Sequence, residues 1–282
     1  MQKTQVIETV ASIQKVLNDC RILGKVVGFV PTMGALHEGH ISLVKKAKEN
    51  SDVVVVSIFV NPTQFNNPDD LEKYPRTLKN DVSLLSDAGV PYVFAPKIEE
   101  IYPDSKVFEP IPLGNLTQVM EAAFRPGHFD GVIQVVKRLF DIIEPDIACF
   151  GKKDFQQLAV INFMRNYYNL PITIIGCEVM REPSGLAMSS RNVRLSATQR
   201  EEALHIYEVL VFAEENALEH NPIELKKLCI SLFEKGNLKL EYLEIVHPDT
   251  LLSLSDEWVK GAICCIACFC GEVRLIDNMQ LV

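Results

Sequence analysis

The sequence predicts an α/β fold: a doubly wound parallel sheet of the Rossmann-like kind, followed by a smaller α+β C-terminal domain. Three observations carry that expectation. Through the first 176 residues, short apolar and β-branched runs alternate with amphipathic stretches of helical length. Such runs are strands buried on both faces, and the stretches between them are helices that cover those faces. After Gly176 the alternation stops, and a polar loop leads into two long helical stretches and three strand-like runs. With 282 residues and 48% hydrophobic composition, the chain is long enough to bury a sizeable core.

In order, "KVVGFV" (25–30), "DVVVVSIFV" (52–60), "PYVFAP" (91–96), "DIACFG" (146–151) and "PITIIG" (171–176) read as strands. The helical stretches lie around 38–50, 76–88, 128–143 and 154–168. The boundary falls near residue 176, which makes 1–176 one domain and 177–282 the other. Beyond it, "REPSGLAMSSRN" (181–192) is a polar loop, 196–218 and 222–235 read as helices, and "LEYLEIV" (240–246), "CCIACFC" (264–270) and "EVRLIDN" (272–278) read as strands. In doubly wound sheets, ligands bind beyond the carboxyl ends of the strands. The residues that follow each strand are therefore the candidates for function.

Net charge is −9, and no block of five or six like charges occurs. That disfavours a non-specific nucleic-acid binder and suits a small-molecule substrate. The N-terminal "MQKTQVIETVASIQKVL" mixes charge into its apolar residues and lacks a signal-peptide core. No run of 18 apolar residues is present, so no membrane-spanning helix is expected, and the expected location is cytoplasmic. Four of the eight cysteines crowd into "CCIACFC". Metal sites usually show separated pairs, whereas this dense apolar knot reads as a buried strand with cysteine as a small hydrophobe. No disulfide framework is implied.

Four stretches can carry chemistry. "PTMGALHEGHISLV" (31–44) places His37 and His40 where a strand turns into a helix. Zinc proteases space their histidines by four, so a spacing of three with Gly39 inside fits zinc poorly. A helix start offers free backbone N–H groups and a positive dipole end to an anion. Imidazoles there can donate to phosphate oxygens and to charge that develops in a transition state. The plain alternative is two surface histidines at a helix start. After the second strand, Asn61, Gln64 and Asn66 offer neutral amides suited to hydroxyl and carboxylate groups, although Asn and Pro are also ordinary turn residues. "FGKKDFQQL" (150–158) brings Gly151, Lys152, Lys153 and Asp154 to another strand end, with Gln157 one turn on. Asp154 can meet a ribose or simply cap a helix beside a solvated lysine pair. "AMSSRN" (187–192) holds Ser189, Ser190 and Arg191, which read either as a polyphosphate clamp or as an ordinary polar loop. The four together are more specific than any one alone.

Seven motifs then appear in order: "PTMGALHEGH", "VNPTQF", "YPRT", "RPGHFDGV", "GKKDFQQL", "MSSRN" and "RLIDN". Over nearly its whole length the chain resembles the pantothenate synthetase (pantoate–β-alanine ligase) family of the nucleotidylyltransferase superfamily, whose HxGH element is shared with class I aminoacyl-tRNA synthetases. The resemblance implies condensation of (R)-pantoate with β-alanine, using ATP and Mg²⁺ and releasing AMP and pyrophosphate through a pantoyl-adenylate. It implies an ATP site along Val30, Pro31, Thr32, Met33, Gly34, Ala35, Leu36, His37, Gly39 and His40. That site continues through Gly151, Lys152, Lys153, Asp154, Met180, Met188, Ser189, Ser190 and Arg191, and Met180 would meet adenine through its backbone. Gln64 and Gln157 would hold pantoate, and Gln64 would also border β-alanine. Catalytic roles fall to His37, His40, Lys153 and Arg191, while the protein ligands of Mg²⁺ stay unassigned. A homodimer is implied, with the "YPRT" region near its interface. Two other readings stand beside this one: another nucleotidyl transferase with the same element, which the paired Gln64 and Gln157 disfavour, and a metal-binding module without catalysis. "CCIACFC" departs from the more ordinary apolar strand of the family, at a place remote from these motifs.

Overall fold

The computed structural model describes residues 4–66, 68–103 and 108–282. Asn67, in the loop that carries Gln64, and Met1–Lys3, at the start of the N-terminal stretch read above, lie outside the described residues.

The elements run β1 (Gln5–Ile7), α1 (Val10–Ile22), β2 (Val27–Thr32), α2 (Glu38–Asn50), β3 (Val53–Ile58), α3 (Pro68–Glu72), α4 (Leu78–Asp87), β4 (Tyr92–Phe94), α5 (Ile98–Ile101), α6 (Met120–Phe124), α7 (His128–Ile143), β5 (Ile147–Gly151), α8 (Phe155–Tyr167) and β6 (Thr173–Cys177). The six strands form one parallel sheet in the order β1-β4-β3-β2-β5-β6. From β2 the chain winds outward to β3 and β4, then returns to lay β5 on the other side of β2. The order therefore reverses between β2 and β5, which is where such sheets open a crevice at their carboxyl ends. The register widens that opening. β5 pairs with β2 at Gly28 and Phe29, whereas β3 pairs with it through Thr32. Pro31 thus sits where β2 has a described partner on one side, so its missing N–H breaks no ladder bond toward β5.

The valine runs form strands because they are covered on both faces: Val53 to Val56 are all buried, as are Val27, Phe29 and Val30. Five elements of the first sheet and its helices went unread in the sequence: β1, α1 and the short helices α3, α5 and α6. β1 is a three-residue edge strand with no alternation to reveal it. α1 had a signal, since Thr9 caps it by accepting from Ser12 N, and Ile13, Leu17 and Cys20 recur on its buried face.

The chain forms two compact units. The first comprises Met1–Leu113, Arg125–Lys152 and Val160–Glu178; the second comprises Gly114–Phe124, Lys153–Ala159 and Val179–Val282. In the second, α9 (Ala197–Asn216) and α10 (Pro222–Phe233) precede an antiparallel sheet of β7 (Lys239–Val246), β8 (Ile263–Cys270) and β9 (Val273–Gln280). Both helices begin at capping boxes, Ser196 with Gln199 and Asn221 with Glu224. The cysteine run is the central strand β8. Cys264, Ile266, Cys268 and Cys270 pack into a core with Cys229, Phe233, Val209 and Leu210. All eight cysteines are buried thiols without disulfides.

Candidate active site

The last residues of β2 are Val30, Pro31 and Thr32. Met33 to Leu36 then turn the chain toward α2, with Gly34 at φ 81° and Ala35 at φ 50°. Glycine enters that left-handed region freely, but a Cβ resists it, so Ala35 must be held there. Asp81 of α4 holds it: Oδ2 accepts from Ala35 N at 3.1 Å and Oδ1 from Leu36 N at 2.9 Å. Thr32 Oγ1 donates to the Ser57 carbonyl at 2.7 Å and accepts from Gly34 N at 3.2 Å.

His37 is the N-cap of α2. Its Nδ1 accepts from Gly39 N at 3.1 Å, while His37 N donates to His40 Nδ1 at 3.3 Å. The pair is a capping box in which two imidazoles take the places usual for serine and glutamate. A ring nitrogen that accepts carries no proton, so each neutral ring has its proton on Nε2. The rings lie 4.2 Å apart between centroids. Two Nε2–H donors thus stand at the positive end of a thirteen-residue helix.

Beyond β3, Pro62–Gln64 form a short 3₁₀ turn capped by Asn61. Gln64 is buried, and its Nε2 donates to Met33 Sδ at 2.8 Å, which joins this loop to the β2–α2 turn. His128 Nδ1 donates to the Gln64 carbonyl at 2.8 Å. Gly131 packs so close to the loop that a Cβ there would stand 2.7 Å from Gln64 N. His128 and Gly131 of "RPGHFDGV" therefore support the Gln64 backbone. Asn61 and Asn66 correct an expectation. The Asn61 amide is spent inside the protein, with Nδ2 donating to the Gly131 carbonyl at 3.0 Å and Oδ1 accepting from Tyr102 at 2.8 Å. Asn66 Nδ2 donates to the Pro126 carbonyl at 2.5 Å. Burial of Tyr102 raises its phenol pKa, in keeping with its role as a donor there.

Gly151 ends β5. Lys152 N donates to the Cys177 carbonyl at 2.8 Å, and its ammonium pairs with Glu178. In the second unit, the Asp154 carbonyl accepts from Leu158 N at 3.0 Å, which gives Asp154 the capping place of α8. The two glutamines that follow divide their work. Gln156 is 3% exposed; its Oε1 accepts from Glu121 N at 2.9 Å and its Nε2 donates to the Leu116 carbonyl at 2.8 Å. Gln157 is half-buried, and its side chain has no hydrogen-bond partner among the described residues.

The loop of the second unit doubles back on itself. Met188 N donates to the Met180 carbonyl at 2.9 Å, and Arg181 bridges Ala187. Ser189 caps the turn Ser190–Arg194 by accepting from Arg191 N at 3.3 Å. Arg181 grips Asp277 with Nη1 to Oδ2 at 2.5 Å and Nη2 to Oδ1 at 3.1 Å, and its guanidinium lies 4.8 Å over the Tyr207 ring. Burial pushes the Asp277 carboxyl up, while Arg181 draws it back down. Asn278 Nδ2 donates to the Lys153 carbonyl at 2.9 Å. "RLIDN" therefore anchors both the loop and the start of α8. Arg200 binds Glu182 at 3.1 and 3.2 Å, and Asn192 Nδ2 donates to the Ala187 carbonyl at 3.0 Å. Sequence reasoning missed Asp81, Arg181 and Asp277, because their partners lie 46 and 96 residues away.

A family model described as pantoate-beta-alanine ligase matches residues 5–280. A pantothenate synthetase of Bacteroides thetaiotaomicron is 50% identical over 281 residues, 98% of each chain. The crystal structure of a pantothenate synthetase from Thermus thermophilus is similar at TM-score 0.93 and 42% identity, covering 99% of both chains. A pantoate-beta-alanine ligase from Francisella tularensis, solved in complex with Beta-gamma ATP and Beta-alanine, is similar at TM-score 0.82 and 38% identity, covering 98% of this chain and 97% of that one.

Proposed function

The chain belongs to the pantoate-beta-alanine ligase family, and on that premise we propose that it joins (R)-pantoate to β-alanine with ATP, through a pantoyl-adenylate. The observation that carries the reading is the histidine-capped start of α2 beside the place where strand order reverses. Its chemistry suits a polyphosphate, and the family supplies the substrates.

A carboxylate is a poor acylating agent and must be activated. A pantoate carboxylate oxygen attacks the α-phosphorus of ATP, the bond to the β-phosphate oxygen breaks, and pyrophosphate leaves. The amine of β-alanine then attacks the acyl carbonyl, loses a proton, and displaces AMP. The substrates do the attacking, so the protein's share is positioning and charge stabilisation. His37 and His40 donate to the phosphates through Nε2. Val30 to Leu36, Gly39, Lys152 and Met188 line the nucleotide, Gly151 and Asp154 contact its ribose, and Met180 meets its adenine through the backbone. Lys153, Ser189, Ser190 and Arg191 stabilise phosphate charge. Gln64 and Gln157 hold pantoate, with Gln64 also at β-alanine. In this reading 1–176 carries ATP and pantoate and 177–282 carries the phosphate loop, although 114–124 and 153–159 pack with the second compact unit.

Among the described residues, no group of three or more His, Cys, Asp and Glu side chains is arranged to hold a metal ion. The proposal brings Mg²⁺ in with the triphosphate, where such an ion commonly keeps several of its waters. Bound there, Mg²⁺ would neutralise phosphate charge. We assign the working form as a cytoplasmic homodimer; among the described residues, no helix is long and apolar enough to cross a membrane.

Exchange of labelled pyrophosphate into ATP, with pantoate present and β-alanine absent, tests the reaction. The adenylate route requires that exchange, and it requires isotope from the pantoate carboxylate oxygen to reach AMP once amine is added. ADP as product, or AMP free of the isotope, overturns it.

A further inference from the structure

The β2–α2 turn contains two consecutive left-handed residues, Gly34 and Ala35. Successive backbone N–H groups of a turn can line one concavity, an arrangement that attracts anions. Here the anion is supplied by the chain: the Asp81 carboxylate sits in the concavity and takes the Ala35 and Leu36 amides, one on each oxygen. A third donor completes it. Thr77 stands at the N-cap of α4, where a threonine hydroxyl ordinarily accepts from the helix backbone, yet it makes no cap bond. Its Oγ1 donates instead to Asp81 Oδ1 at 3.1 Å. Asp81 is 2% exposed, and a Cβ on Gly34 would lie 3.1 Å from its Oδ2, so the carboxylate is fitted closely against the turn.

What the carboxylate governs lies one residue on. Leu36 N is held by Asp81, and the next residue, His37, caps α2 and donates from its backbone N–H the reciprocal bond that sets the His40 ring. Thr32 grips the beginning of the turn at Gly34 N, and Asp81 grips its end, next to the histidines. The Ala35 and Leu36 amides are also engaged by a resident carboxylate, which places the phosphate-facing donors at the helix start and the rings, away from the concavity.

We propose that Asp81 is a positioning residue for nucleotide use: by filling the concavity of the β2–α2 turn, it sets the place and tautomer of the two histidines that meet the phosphates. The inference rests on the ligase reading for what those histidines do. "YPRT" acquires an internal role as well, since its threonine holds the carboxylate.

Asp81→Asn keeps the volume and turns an NH₂ toward a backbone N–H, donor against donor. Its expected effects are an ATP Kd raised ~10-fold or more, pantoate-dependent exchange per folded enzyme lowered by at least that factor, and an unchanged KM for β-alanine. Thr77→Val removes one donor, leaves both amide bonds, and is expected to move the ATP Kd in the same direction by a few-fold. A variant that only loses thermal stability, with ATP Kd and exchange per folded enzyme at wild-type values, overturns the proposal. If Asp81→Asn does not fold, Thr77→Val decides: an unchanged ATP Kd overturns it. ATP binding by calorimetry separates this inference from the ligase reading. Wild-type protein that binds ATP without exchange on pantoate sinks the ligase reading, and the Asp81 inference then stands or falls on the Kd shift alone.

Discussion

Two loops, one in each compact unit, are built from opposite materials. The turn from β2 into α2 is held by backbone amides, two neutral rings and one carboxylate that takes three neutral donors. The loop from Met180 to Asn192 is held by ion pairs, Arg181 with Asp277 and Arg200 with Glu182. The first arrangement keeps its shape by hydrogen-bond geometry and presents dipoles. The second fixes its shape with cations already matched by carboxylates, so those cations serve the loop and not a ligand. The lesson is that arginine near a phosphate loop is no guide to phosphate contact until its partner is known.

The largest expected effect is on the second loop. Replacing Arg181 with Met strands the Asp277 carboxylate, which is 3% exposed, and should cost ~3–5 kcal/mol of the second unit's stability. Denaturant unfolding followed by Trp258 fluorescence reads it, and an unmoved midpoint would erase the contrast between the loops. On the first turn, His37→Ala or His40→Ala should lower turnover ~10²-fold or more with the fold intact, the scale of a lost charge-stabilising donor, ~2.7–4 kcal/mol. Wild-type turnover in both variants would remove the rings from the mechanism.

A smaller effect sharpens the ligand assignments. Lys153→Ala and Arg191→Ala should each weaken ATP by ~1.5–3 kcal/mol and leave pantoate nearly untouched, and Gln157→Ala should weaken pantoate instead. Calorimetry on the three variants decides it; equal loss of both ligands in all three contradicts the assigned roles. The smallest effect concerns the outer pair. Arg200 and Glu182 are 40% and 29% exposed, so Glu182→Gln should cost about 1 kcal/mol or less at low salt and nothing measurable at high salt. A salt-independent cost would mean that Glu182 matters through its bond from Asn192 and not through charge.

Much of this was legible in the sequence. The valine runs announced buried parallel strands, and the doubly wound sheet with its small antiparallel companion is what the structure holds. The cysteine knot was readable as a strand because each of its neighbours is apolar. What stayed hidden depends on distance along the chain. Asp81 looks like any charged helix residue until α4 is laid beside a turn 46 residues earlier. Arg181 and Asp277 are ordinary until β9 brings them together. Gln156 and Gln157 are indistinguishable as letters, and only the helix phase sends one into the 114–124 segment and leaves the other half-buried. The membership of 114–124 and 153–159 in the second unit leaves no local trace, because contacts across sequence define it.

The cysteine strand β8 has a consequence for time as well as for packing. A thiol reacts as its thiolate, and burial pushes Cys268 up to about 12 and raises Cys264, Cys265 and Cys270. In the closed fold these sulfurs are chemically silent at neutral pH, and they answer a probe only when the sheet parts. Labelling by a thiol reagent at pH 8, followed residue by residue in a mass spectrometer, should therefore run at the rate at which the C-terminal sheet opens and should quicken with denaturant. Nature has written a clock into the centre of the second sheet, and its ticks can be counted without adding a label by mutation.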